Sequence, residues 1–159
     1  MFRIMIEQIM GEVGRQILFA YEANQTILNL IVVTYGLIMF MSWSTLIRIY
    51  RHMVLLIAAE VEQNPNLKKT SKVSKIKSAI EFPWQEAVDA AWFPLVANNG
   101  GVIPARKSIA IIQRLFDEDE LIRHAKEVME GAPIRKIMPS YRNMVNREME
   151  HKGAKTRNA

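Results

Sequence analysis

The feature that most constrains this chain is an uninterrupted run of uncharged residues in its N-terminal third. From Ile27 to Ile47, 21 consecutive residues carry no charge, and fifteen of them are hydrophobic. As an α-helix the run is about 31 Å long, at roughly 1.5 Å per residue, which matches a bilayer hydrocarbon core of about 30 Å. Only a helix satisfies its own backbone within one segment in lipid. The run therefore predicts a transmembrane helix.

Two other interpretations of this run are weaker. A small soluble domain could hardly surround 21 uncharged residues on every side. A cleaved signal peptide has a basic start, an apolar stretch of roughly 7–15 residues and a small-residue cleavage site. Here 26 slightly acidic residues precede the run, and Arg48 and Arg51 follow it closely. We therefore interpret the run as a spanning anchor.

The basic residues around the run predict its orientation. Arg48 and Arg51 follow it directly, whereas the nearest base before it is Arg15. The positive-inside rule then places the C-terminal ~110 residues in the cytoplasm and the segment 1–26 outside. The localisation expected is a bacterial or archaeal cytoplasmic membrane.

A lysine cluster lies further along the chain, among Ser, Thr and Asn residues. It predicts a flexible, basic juxtamembrane linker over residues 64–80, which we expect to attract anionic lipid by about 1 kcal/mol per base near the surface. No aromatic residues are interleaved with these bases, so no nucleic-acid partner is expected. The cluster consists of Lys68, Lys69, Lys72, Lys75 and Lys77.

The rest of the chain shows helical periodicity and no alternating strand pattern longer than a few residues. Asn64-Pro65 is a helix stop, so the transmembrane helix is predicted to continue to residue 63. The predicted fold class is all-α, a single-pass transmembrane helix extended into a long cytoplasmic helix and followed by a small helical cytoplasmic region. The predicted segments are a short extracytoplasmic amphipathic segment (1–26), the transmembrane helix (27–47), the linker (64–80), the helical region (81–150) and a disordered tail (151–159).

Three helices are predicted within the second half of the helical region. An apolar face predicts a helix over residues 105–116. Asp117, with Glu120 three residues later, predicts the start of the next helix. A last helix is predicted from residue 140, with Tyr141 and Met144 facing inward.

One apolar line on the extended helix is a candidate partner-binding surface. Tyr50, Val54, Ile57 and Val61 recur at spacings of four and three residues, and the nearby charged residues fall off that line. Two heptads are too few to predict a coiled coil. The line is predicted either to pack on a helix of a neighbouring protein or to rest on the headgroups or on this chain's own cytoplasmic region.

A second candidate partner-binding surface is aromatic. Pro83 suits the first turn of a helix, and Trp84, Val88 and Trp92 would then share one face until Phe93-Pro94 ends it. Two tryptophans on so short an element indicate docking on something large, either the domain core or a partner subunit.

No residue pattern in the chain predicts catalysis, a cofactor or a metal site. Cysteine is absent, and the histidines lack ligand spacing, with His124 expected to face solvent. The acidic run Asp117–Glu120 lacks the features of a calcium loop. The loop Asn98–Gly101 precedes a helix and is a weak candidate for binding phosphate.

These observations favour a non-catalytic accessory or scaffolding subunit of a multi-subunit membrane complex, whose partners are other subunits and the bilayer; a homo-oligomer is also possible. The alternative is a membrane-tethered small regulatory or ligand-binding domain that uses the Asn98–Gly101 loop with Trp84 and Trp92. A weaker option is an enzyme whose site is completed by a partner.

Overall fold

The computed structural model describes residues 2–70, 72–98 and 103–147, with the backbone alone at residues 2–10, 12, 14 and 18. The described chain is mostly helical, as predicted. The predicted tail, 151–159, lies outside the described residues. The elements in chain order are α1 (Phe2–Gln63), α2 (Pro65–Lys68), α3 (Val73–Ala79), α4 (Trp84–Asp89), β1 (Leu95–Val96), β2 (Ala105–Arg106), α5 (Ile109–Leu115), α6 (Glu118–Met129), a 3₁₀ turn (Ile134–Lys136) and a last helix over residues 141–147.

The chain divides into two compact units, Met1–Ile38 and Met39–Ala159. The first unit consists of the N-terminal part of α1, with non-helical backbone at Gly11 (φ 54°, ψ −136°) and Asn24 (φ −121°, ψ 17°). The positive φ at Gly11 is one that glycine adopts without steric cost. Both positions fall in the segment predicted to precede the membrane. Of its predicted amphipathic face, Val13, Ile17 and Ala20 are exposed, and the other side chains lie outside the described part.

The second unit is built around the C-terminal part of α1, which ends at Gln63, directly before Asn64-Pro65. Residues at alternating spacings of three and four along this part are fully buried, because one face of the helix carries them and the charged residues lie elsewhere. Side chains of α3, α4, α5, α6 and the last helix complete the core. The largest buried contributors outside α1 are Ile76, Ile112, Leu115, Phe116, Leu121, Ile122 and Met144.

The prediction of a flexible linker over residues 64–80 is wrong for most of that segment, because it folds into α2 and α3. Leu67 of α2, Ile76 of α3 and Ile80 directly after α3 are buried, so these aliphatic residues between the lysines join the core. α3 packs on α6. On the outer side Lys77 Nζ lies 2.9 Å from a Glu118 carboxylate oxygen and 3.3 Å from one of Asp119.

The tryptophan-bearing helix is shorter than predicted. α4 ends at Asp89, so Trp92 lies beyond the helix and does not share a face with Trp84. The end of α4 is held by Lys107, whose Nζ donates hydrogen bonds to the carbonyls of Val88 (3.1 Å) and Ala91. A cation at the C-terminal carbonyls of a helix satisfies acceptors that have no partner within it. Beyond α4, β1 and β2 pair antiparallel.

The helices after β2 begin where the sequence places them, apart from α5, which begins later at Ile109. A buried carboxylate ties α6 to the last helix. Glu120 accepts hydrogen bonds from the Ser140 backbone N–H (2.8 Å) and from Asn143 Nδ2 (2.9 Å). In the last helix Met144 is buried as predicted, whereas Tyr141 is exposed, contrary to the prediction.

Candidate membrane and partner surfaces

The apolar line predicted to bind a partner lies inside this chain's own core. Tyr50, Val54, Ile57 and Val61 are at most 2% exposed. The ring of Tyr50 meets that of Phe116 edge to face, with centroids 4.9 Å apart. The sequence left open whether this line packs on a neighbouring protein, on lipid headgroups or on later residues of the same chain. In the structure it packs on later residues of the same chain. Partner binding through this line would require the core to open.

Sequence reasoning missed a polar contact within this core. His124, predicted to face solvent, is half-buried, and its Nδ1 lies in hydrogen-bond contact with the Tyr50 hydroxyl at 2.7 Å. The contact joins α6 to α1 across 74 residues of sequence. The one sequence signal that could have found it is the phenol of Tyr50 on an otherwise apolar line, since a buried hydroxyl needs a partner.

The two predicted tryptophans occupy different surroundings. Trp84 is partly buried and stacks on Phe82 with ring centroids 5.6 Å apart. Trp92 is 73% exposed and contacts Phe93 edge to face at 5.5 Å. Trp84 therefore supports the core, and Trp92 belongs to the surface.

The α1 segment that the sequence predicts to enter the membrane has an exposed apolar surface. Among the described residues, Phe19–Gln63 is the helix that is long and apolar enough to cross a membrane. Most of its large hydrophobic side chains from Ile27 to Phe40 are exposed, by 39% at Leu28 and 71% at Phe40, while Ile38 and Met39 are half-buried. The exposed residues in this stretch are Ile27, Leu28, Leu30, Ile31, Val32, Val33, Tyr35, Leu37 and Phe40.

The end of the predicted transmembrane run differs from its beginning. Ser42, Thr45 and Leu46 are buried within the second unit. The Ala97 backbone N–H donates a hydrogen bond to the Ser42 carbonyl at 3.2 Å, which holds Ala97 against this turn of the helix. Residues 99–101 of the predicted phosphate-binding loop Asn98–Gly101 lie outside the described residues. Residues 42–47 therefore belong to the packed core of the second unit on one side.

Two grooves of the second unit meet at Arg48. A small one, of about 80 Å³, is lined by Phe40, Met41, Ser44, Thr45, Arg48, Ala91, Trp92 and Phe93. A larger one, of about 550 Å³, is lined by Phe40, Trp43, Ser44, Ile47, Arg48, Arg51, His52, Leu55 and Ile134. Arg51 is committed to the fold, because it donates hydrogen bonds to the carbonyls of Ile137 (3.0 Å) and Arg135. Arg48 is exposed and makes no hydrogen bond or ion pair with any residue that the structure describes.

The five lysines of the predicted lipid-attracting cluster are all exposed, but not all are free. Lys68 lies 3.7 Å from a carboxylate oxygen of Glu62. The hydrogen bond from Lys77 to Glu118 is the largest influence on its ammonium group and raises the pKa of Lys77. Lys69, Lys72 and Lys75 are exposed and form no ion pair with the residues that the structure describes.

The described residues contain no group of three or more His, Asp or Glu side chains placed to hold a metal ion. Comparison with family models, with curated proteins and with solved structures finds no match to this chain. The function proposed for the chain therefore rests on its exposed apolar, aromatic and basic surfaces.

Proposed function

We propose that this chain is a non-catalytic accessory or scaffolding subunit of a multi-subunit membrane complex. One helix anchors it in the bilayer, and its helical unit docks on other subunits in the cytoplasm. The observation that carries the proposal is the exposed apolar surface of α1, from Ile27 to Phe40, next to a unit with a well-packed core of its own.

The exposed surface supports a membrane anchor for a physical reason. Soluble monomers rarely expose contiguous apolar patches beyond a few hundred Å², because such patches cause association in water. Here nine large hydrophobic side chains are exposed within fourteen residues of one helix. A bilayer covers apolar side chains on all faces of a helix, whereas a single packed neighbour covers one face.

The charge pattern supports the orientation. Arg48, exposed at the C-terminal side of the apolar surface, is a cation that the positive-inside rule retains in the cytoplasm. Residues 1–26 would then lie outside. Because the line through Tyr50 and Ile57 is used by the core, docking on other subunits is left to the exposed parts of the helical unit, among them Tyr141 and the lysines of α2 and α3.

Blue-native electrophoresis of membranes extracted in mild detergent tests the subunit role. We expect the chain to migrate in an assembly well above its own 18.3 kDa and to co-migrate with other polypeptides. Migration as a lone monomer would refute the subunit role. Co-expression of two differently tagged copies adds a control, because co-purification of the tags with nothing else would indicate a homo-oligomer and contradict a heteromeric assembly.

The orientation can be tested separately, because the chain has no cysteine. Ser78 is exposed at the end of α3. We expect Ser78→Cys in intact cells to resist a membrane-impermeant maleimide and to react after the membrane is opened. Reaction in intact cells would reverse the proposed orientation.

A further inference from the structure

An aromatic side chain distant in sequence lies beside Phe40, where the exposed apolar stretch of α1 that begins at Ile27 ends. Phe40 and Trp92 line the same small groove, and both are more than 70% exposed. Arg48 lines that groove too, two turns further along α1. An exposed tryptophan, an exposed phenylalanine and an arginine without a partner among the described residues thus share one site on the second unit.

This combination matches the chemistry of the phospholipid headgroup layer. Tryptophan is enriched there because its ring is apolar while its indole N–H is polar. Arginine can donate two parallel hydrogen bonds to a phosphate, and its aliphatic stem can lie along apolar surface while the guanidinium reaches outward. Phe40 belongs to the predicted transmembrane run and shares this groove with Trp92, so lipid that covers Phe40 also reaches Trp92.

We propose that the surface formed by Phe40, Trp92 and Arg48 lies in the headgroup layer on the cytoplasmic side, and that the hydrocarbon-spanning part of α1 ends near Phe40 rather than at Ile47. This proposal rests on the proposed membrane anchor. The burial of Ser42, Thr45 and Leu46 in the second unit supports it, because side chains covered by protein do not face lipid.

The span moves toward the N-terminus as a consequence. Twenty residues counted back from Phe40 reach Tyr21, and they cover about 30 Å as a helix. Glu22 then falls at the outer edge, and Asn24, where the helix backbone departs from regular geometry, falls near that edge. The end of the span shifts by seven residues, or about 10 Å along the helix, which is large enough to measure.

Spin labels on single cysteines in the full chain, reconstituted into phosphatidylcholine–phosphatidylglycerol vesicles, test the proposal. The probes are Trp92→Cys in the proposed headgroup layer, Val32→Cys in the anchor and Tyr141→Cys as an exposed aromatic control on the last helix. The measurement is the ratio of collision rates with oxygen, which concentrates in lipid, and with a water-soluble nickel chelate. We expect a high ratio at position 32, a low ratio at 141 and an intermediate ratio at 92.

The outcomes separate the two proposals. A ratio at position 92 equal to that at 141 would place Trp92 in water and overturn the headgroup proposal while leaving the anchor intact. Low collision rates with both reagents at position 92 would show that a protein covers it, which also overturns the proposal. A low ratio at position 32 would refute the anchor itself.

The position of the span end has its own test. Ser44 is exposed in the structure and lies inside the predicted run 27–47. With the span ending near Phe40, Ser44→Cys reacts with a soluble maleimide at more than half the rate of Ser78→Cys in opened membranes, whereas Thr34→Cys is protected at least tenfold. Protection of Ser44→Cys to the level of Thr34→Cys would restore an end at Ile47.

Discussion

The part of α1 from residue 27 to residue 61 has two halves, 27–40 and 46–61, which are both rich in apolar residues and have opposite surroundings. From Ile27 to Phe40 most apolar side chains are exposed, whereas from Leu46 to Val61 those on one face are buried in the core of the second unit and Leu55, off that face, is exposed. The difference lies in the arrangement of the charges. The later half carries Arg48, Arg51 and Glu60 off one apolar face, and such a face packs on protein. The earlier half carries no charge at all, so no face is reserved for water.

The comparison shows that apolar content alone does not distinguish a membrane segment from a core helix. Periodicity distinguishes them, because a helix that is hydrophobic all round needs an apolar environment all round. The uncharged run overlaps both halves, since residues 42–47 are uncharged yet packed on protein on one side. Substitutions in each half, and in the core and surface of the second unit, test this distinction.

Truncation of a core side chain is expected to give the largest difference in the free energy of unfolding between the two halves. Ile57→Ala is expected to lower the free energy of unfolding of the second unit by about 2–5 kcal/mol, because it leaves a cavity in a close-packed core. Ile31→Ala is the matched control and is expected to change it by less than about 0.5 kcal/mol. Urea unfolding in mild detergent, followed by tryptophan fluorescence, measures both. Equal effects would mean that the two halves do not differ in packing.

A charge placed in the proposed anchor is expected to affect membrane insertion and not the stability of the second unit. Val32→Asp is expected to cost about 2.5–3.5 kcal/mol for insertion, because a carboxylate near the bilayer centre loses its hydration. The fraction retained in membranes after alkaline carbonate extraction should fall, while the second unit stays folded. Ser44→Asp, at the proposed interface, should leave retention nearly unchanged. Loss of retention in both variants would contradict a span that ends near Phe40.

A polar group inside the second unit is stable only through its partners. Glu120→Ala is expected to cost about 1–3 kcal/mol, because it leaves the Ser140 N–H and the Asn143 amide without their acceptor. Glu127→Ala, an exposed position on the same helix, is the control and should be nearly neutral. Thermal unfolding in detergent compares the two variants. A neutral result for Glu120→Ala would show that water replaces the carboxylate.

The smallest effect concerns the surface of the second unit. Lys77→Met should lower the free energy of unfolding by only about 0.2–1 kcal/mol, because the Lys77 side chain is 42% exposed and water screens its ion pairs. The pKa of Lys77 is raised in the folded chain. Its contribution to the free energy of unfolding is therefore complete below its ordinary pKa of 10.5 and disappears as the pH rises through its pKa in the folded chain. The free energy of unfolding of Lys77→Met should therefore lie below that of Lys75→Met at neutral pH, and the difference should vanish in strong alkali. A difference that persists there would exclude the ion pair.

Much of the fold was predictable from local patterns. The end of α1 follows from Asn64-Pro65, and the start of α6 follows from the acidic turn at Asp117, since both signals act within a few residues. The linker was predicted wrongly because lysines between aliphatic residues indicate disorder only if the aliphatic face has nothing to cover it. α6 provides that cover, 40 residues later in the chain.

The candidate surface was only partly predictable. Trp92 was singled out from its residue type, but its neighbours Phe40 and Arg48 lie more than 40 residues earlier, and no local spacing joins them. In the same way, the hydrogen bond between Tyr50 and His124 joins residues 74 positions apart. Contacts of this kind depend on how the chain returns along α1.

Local patterns establish that this chain is helical and that one helix is long and apolar enough to cross a membrane, because helix signals and uncharged runs are local properties. Which apolar residues face outward depends on long-range contacts, which form only in the folded chain. The line from Tyr50 to Val61 could have served a partner, and the chain's own helices cover it. Most large hydrophobic side chains from Ile27 to Phe40 stay exposed, and a helix that is hydrophobic all round needs an apolar environment all round.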